Sequence, residues 1–339
     1  FHNPALLLPG GQHDRNDPDM KPRRFSFVGI STDAVWYRQR GCLLSYATLA
    51  AILGILAITI PGSFYSATNL SNLAGQMPPL FLVAIGQTFV LLGAGFDLSV
   101  GSVISLCSAI LVLDLPAAVK IPLAIATAVL AGLVNGAGIV RLGVHPIIMT
   151  LATSSILQGV ALILRPTPGG VAPDILIAAA SFSVLGIPAG FFWILIAAIT
   201  AIYLMHLTIF GGHLYAVGQN PQSARFSGIN PDRIRIATYV ICALTAALAA
   251  AYLTGRLASG DPNVGRTLGL DSVLGAALGG TLLSGGIGGP IGTIPGVLIL
   301  ICLNNGLNLA GISPFYQFIL KGVMLIAAVS LFRRREVGL

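Results

Sequence analysis

The stretch AGFFWILIAAITAIYLMHLTIF, residues 189–210, decides the class of fold. No Asp, Glu, Lys or Arg interrupts it. A helix needs roughly 20 such residues to cross a hydrocarbon core about 30 Å thick. Working outward, comparable apolar runs stand at 42–61, 78–96, 99–113, 121–141, 146–164, 234–254, 270–284, 291–309 and 315–332. With the first they make about ten candidate spans, and the reading is an all-α, polytopic helical membrane protein. The runs at 99–113 and 270–284 are short and adjoin the Gly-rich stretches Gly93–Gly101 and Gly279–Gly296. Glycine this dense at membrane depth implies interrupted helices. Eight full spans with two broken or re-entrant segments therefore fit as well as ten.

Composition supports this reading. The 339 residues are 55% hydrophobic and 9% charged, whereas a soluble domain carries about 25% charged residues. The charges collect at the ends, so that residues 1–40 read as a disordered cytoplasmic N-terminal tail, 41–332 as the membrane domain and 333–339 as a basic C-terminal tail. The first methionine is Met20, so the native start lies there or ahead of Phe1. Arg15, Lys21, Arg23, Arg24, Arg38 and Arg40 at one end, Arg333, Arg334 and Arg335 at the other, and Arg225, Arg233 and Arg235 in the segment 211–233 belong on the cytoplasmic side by the positive-inside rule. An even number of spans satisfies all three, with both termini inside. The net charge of +7 is accounted for by these flanking residues, and no nucleic-acid partner is expected.

Most enzyme chemistry is missing. Lys21, Lys120 and Lys321 all follow residues other than glycine, so the chain has no phosphate-binding P-loop of its own. Neither H-E-x-x-H nor G-x-S-x-G occurs. Cys42, Cys107, Cys242 and Cys302 are scattered singly, with no metal-ligand spacing and no disulfide framework. No catalytic residue and no metal site is expected, which leaves transport, conduction or a structural membrane role.

Four segments carry information. In GAGFDLSVGS, residues 93–102, Asp97 stands between two apolar runs. It either caps the helix that begins near Ser99 or faces a wet path, because a charge at membrane depth is costly. In HLYAVGQNPQSARFSGINP, residues 213–231, Asn220-Pro221 starts a short helix through Phe226 and Gly228 ends it in a left-handed cap. Such a helix is a docking element or a mere connector. The segment GGTLLSGGIGGPIG, residues 279–292, permits close backbone packing or a hinge. In LNNGLNL, residues 303–309, Asn304 and Asn308 share a helix face. They serve as glue between helices or contact a polar solute. Amides without charges suit a neutral polyhydroxylated solute better than an ion.

Together these segments resemble the integral membrane permeases of ATP-binding-cassette importers, in the branch that serves ribose and related monosaccharides. The matching residues are 95–102, 215–220, 224–230, the Gly-rich stretch through Gly292-Thr293, and 303–309 followed by Ser313-Pro314-Phe315. Phe96 stands where the family usually has a smaller aliphatic residue, and residues 1–40 have no counterpart. The resemblance implies two permease chains, a homodimer by preference, in a bacterial inner membrane. It also implies cytoplasmic ATPase subunits that bind ATP and Mg, and an extracytoplasmic sugar-binding protein. Gly218, Asn220, Ala224, Arg225, Ser227 and Gly228 would form the ATPase-coupling element. Asp97, Ser99, Asn304 and Asn308 are the candidates for shaping the substrate path. Related membrane chains carry branched-chain amino acids, nucleosides or autoinducers, so these solutes remain alternatives. An ion-coupled secondary transporter would centre on Asp97 and needs a second acid or His partner, which the sequence does not offer. A channel would need a filter motif or charged ring.

Overall fold

The computed structural model describes residues 32–331. Its helices are α1 (Thr32–Thr59), α2 (Pro61–Phe64), α3 (Ala67–Leu92), α4 (Val100–Leu111), α5 (Ala117–Arg141), α6 (Pro146–Leu164) and α7 (Asp174–Ser181). After a two-residue hairpin, β1 (Ser183–Val184) and β2 (Ile187–Pro188), come α8 (Ala189–His206), α9 (Ile209–Gln219), α10 (Pro221–Phe226) and α11 (Pro231–Leu257). The chain ends with α12 (Leu268–Leu278), α13 (Pro290–Leu309) and α14 (Pro314–Leu331). Each of the ten apolar runs has its helix. Seven are long and apolar enough to cross a membrane, and α4, α12 and α14 are shorter apolar helices. At 1.5 Å per residue α4 and α12 reach only about 16–18 Å, so neither crosses the hydrocarbon core alone. The helix α1 starts at Thr32, and its apolar membrane-length part runs from Gly41 to Thr59. The part of the N-terminal tail ahead of Thr32 and the basic segment 333–339 lie outside the described residues.

The helix α3 is the axis of the molecule. From Pro78 to Leu92 every residue is buried, and α8, α11, α12 and α13 pack around it. The helix α11 also packs on α4, α5 and α7. Its inward face is small, with Ala243, Ala246, Ala247, Ala249 and Ala250 all buried. On α5, a side chain at Gly132 would meet the backbone of Tyr239 and Val240. Small residues replace shape-filling side chains because apolar lipid gives helices little reason to associate except close contact.

The structure places the start of α3 well before residue 78, where the sequence predicts it. Pro78 and Pro79 lie inside the helix. A proline has no N–H and leaves the carbonyl four residues back without its helical partner. For Pro79 that carbonyl is Gly75 O, and the hydroxyl of Tyr252 on α11 donates to it at 2.9 Å. The same device recurs in α13, where Pro295 frees Ile291 O and Tyr46 on α1 donates to it at 3.3 Å.

Candidate translocation and coupling sites

The predicted span 189–210 breaks at Leu207–Thr208. Thr208 caps a new helix, accepting from Gly211 N at 3.4 Å while its hydroxyl donates to Leu204 O at 2.5 Å. The segment read as a loop from 211 is therefore helical as far as Gln219. The chain then turns at Asn220, whose Oδ1 accepts from Gln222 N at 2.9 Å and Ser223 N at 3.0 Å. Pro221 sits at the first helical position, where its missing N–H costs nothing. The helix α10 ends as predicted, with Gly228 at φ +82° and Ile229 N donating back to Ala224 O at 3.0 Å.

This short helix presents Gln222, Ser223, Arg225, Phe226 and Ser227 to the outside and buries Ala224. Phe226 is 84% exposed, a large apolar ring on an otherwise polar turn. Arg225 pairs with Asp232 at 3.3 Å on the exposed surface, a pair worth at most about 1 kcal/mol. Ser227 Oγ donates to Ser223 O at 3.1 Å. Gly218 is different in kind, because it is buried. A side chain there would run into Leu92 O at the end of α3 and into the backbone of Gly286. Gly286 N itself donates to Leu92 O at 3.0 Å, and Tyr215 donates to Gly288 O at 2.8 Å. The helix α9, which leads into the outward-facing helix, is thus keyed into the central helix and the Gly-rich segment. Two of the four informative segments meet here, and Ala94 of a third lies beside Gly285.

Asp97 and Ser99 form a closed polar knot. Asp97 Oδ1 accepts from Ser99 N at 2.9 Å and from Ser99 Oγ at 2.6 Å. Asn135 on α5 donates to Ser99 Oγ at 2.8 Å. Gln87, its amide oriented to suit, donates to Asp97 O at 3.1 Å and accepts from Asp97 N at 3.2 Å. All four residues are buried, and Asp97 Oδ2 and Asn135 Oδ1 have no hydrogen-bond partner. Asp97 therefore closes a turn onto Ser99 just ahead of α4, and the first turn of that helix receives no side-chain cap.

On α13, Asn308 Oδ1 accepts from Gln317 of α14 at 2.7 Å, which ties the two helices across their turn. Asn304 Oδ1 is buried without a partner. Its neighbour Asn305, which the sequence reading passed over, exchanges two hydrogen bonds of 2.9 Å with Asn69 of α3. A further pair was also missed: Lys321 Nζ of α14 lies 2.8 Å from Asp271 Oδ2 of α12. Beside it a cavity of about 570 Å³ is walled mostly by the apolar side chains of Leu270, Leu274, Phe318 and Leu325, with Arg266, Thr267, Asp271 and Lys321 supplying its polar edge. Single charges inside apolar runs were the available signal, but 50 residues separate the partners. Among the described residues no group of three or more His, Cys, Asp or Glu is placed to hold a metal ion.

The family described as "Branched-chain amino acid transport system / permease component" matches residues 69–329. The chain is 35% identical to the ribose import permease protein of Escherichia coli strain K12, over 88% of this chain and 97% of that relative. It is 38% identical to the ribose import permease protein of Bacillus subtilis strain 168, over 84% and 91%. It is 31% identical to the D-allose transport system permease protein of Escherichia coli strain K12, over 88% and 93%. No solved structure matches it.

Proposed function

Since the chain belongs to the branched-chain amino acid transport system permease family, with ribose and allose permeases among its relatives, we propose that it forms the translocation path for a monosaccharide in an ATP-driven importer. It is a multi-pass membrane transport subunit rather than an enzyme. The observation that carries the mechanism is the seating of α10. Its outer surface offers Phe226 and Arg225 to a partner, while Gly218, in the last turn of α9 that leads into it, packs against Leu92 and Gly286. A partner ATPase that grips α10 would move the end of the central helix and the Gly-rich segment together.

In this reading ATP and Mg bind to the ATPase, and a sugar-binding protein delivers the solute on the opposite side. A second copy of the chain completes the path in a bacterial inner membrane, with both termini cytoplasmic. Asn220, Ala224, Arg225, Ser227 and Gly228 shape the docking helix, and Gly218 transmits its motion. Asp97 and Ser99 hold the start of α4 in place, and Asn304 is the polar group on α13 best placed to answer a solute. The test is uptake by proteoliposomes containing the chain with its co-purified ATPase and binding protein. Uptake of labelled ribose, allose or galactose that requires ATP is the expected outcome. Transport by the chain alone under an ion gradient, or uptake of leucine and valine but no sugar, would overturn it.

A further inference from the structure

Asp271 and Lys321 sit on α12 and α14, where charges are expensive. A charged side chain at mid-bilayer costs about 2.5–3.5 kcal/mol or more. Their mutual contact at 2.8 Å, with side chains 13% and 16% exposed, offsets part of that cost. A staple between two helices would explain the pair by itself, but it does not explain the cavity beside it. Arg266 opens on the same cavity, is exposed, and makes no ion pair among the described residues. An unneutralised guanidinium on the flank of an apolar body does not face lipid tails. That face therefore looks onto water or a polar occupant.

From these residues we infer that the cavity between α12 and α14 is a sugar-binding subsite within the path, an inference that rests on the importer reading above. Asp271 Oδ2 is engaged by Lys321, and Oδ1 carries no hydrogen bond among the described residues, so it is free to accept from a hydroxyl. Lys321 and Arg266 supply donors to ring and hydroxyl oxygens. Phe318 lies at the rim, 55% exposed, with Lys321 Nζ 5.9 Å from its ring centroid. Its face can take the C–H side of a pyranose or furanose ring. One acceptor and two donors along one edge, with Phe318, Leu270, Leu274 and Leu325 making the rest of the wall, match a sugar ring that turns hydroxyls to one side and its C–H face to the other. Two cations against one anion disfavour a free metal cation.

The test uses the same reconstituted complex. Asp271→Asn and Lys321→Gln each remove one charged hydrogen-bonding group, and uptake is expected to fall about tenfold or more while ATP hydrolysis persists. The exchange Asp271→Lys with Lys321→Asp restores an ion pair but inverts the subsite, and uptake should stay low. Recovery of wild-type uptake in the exchange would reduce the pair to a staple and overturn the inference. Phe318 and Arg266 are exposed, so their variants keep the fold. Phe318→Leu should lower uptake and Phe318→Trp should restore it, and Arg266→Gln should lower it. Wild-type rates in both Phe318→Leu and Arg266→Gln would also overturn the inference. Absence of sugar uptake in the unaltered complex would instead sink the importer reading.

Discussion

Tyr252 donates its hydroxyl proton to the carbonyl of Gly75, the group that Pro79 leaves without a helical partner. One side chain on α11 thereby repairs the ladder of the central helix. Tyr252→Phe keeps the ring and removes the donor, leaving a buried carbonyl unsatisfied. Such a loss costs about 1–3 kcal/mol. A lowered unfolding temperature in detergent is the expected reading, and an unchanged one would mean that the Gly75 carbonyl finds another donor without the tyrosine.

Gly218 has no room for a methyl group between Leu92 O and Gly286. Gly218→Ala must push the last turn of α9, and with it the start of α10, away from the central helix, at a cost of about 1–3 kcal/mol for overpacking. The expected phenotype is a chain that inserts normally but hydrolyses ATP with poor uptake. Equal uptake per ATP in wild type and variant would remove Gly218 from the transmission path.

The docking helix offers a sharper test. Gly228 holds φ +82°, which proline, fixed near −65°, does not adopt. Arg225→Glu reverses the outward charge and breaks the pair with Asp232. The double variant Arg225→Glu, Gly228→Pro should lose ATP-coupled uptake with insertion intact, as read by membrane abundance and transport together. Wild-type transport would sink the coupling assignment.

Asp97 does its visible work through Oδ1. Asp97→Asn keeps an oxygen there and removes the charge, so transport should persist. Asp97→Ala also removes both hydrogen bonds from Ser99 in a buried site and should cost about 1–3 kcal/mol of stability. An ion-coupled mechanism centred on Asp97 predicts the reverse order of severity, with the Asn variant inactive under an ion gradient.

The ten apolar runs were legible because hydrophobic length is a local property, and so was the helix opened by Asn220-Pro221 and closed by Gly228. Failures came where a distant residue overrules a local rule. Pro78-Pro79 reads as a helix boundary until Tyr252 and its neighbours on α11 are in place. Thr208 divides a continuous apolar run because its hydroxyl bonds backward to Leu204 and accepts from Gly211. Asn305 pairs with Asn69 on α3 and Asn308 with Gln317 on α14, a division that depends on how α13 is rotated against its neighbours. Asp271 and Lys321 each look like an isolated charge until α14 folds back onto α12.

The two short helices have a further consequence during synthesis. Neither Val100–Leu111 nor Leu268–Leu278 is long enough to be lodged in a bilayer on its own hydrophobicity. Each has to wait at the translocon for the helix that follows, α5 for the one and α13 for the other. Entry in pairs, α4 with α5 and α12 with α13, is the insertion order that these lengths predict.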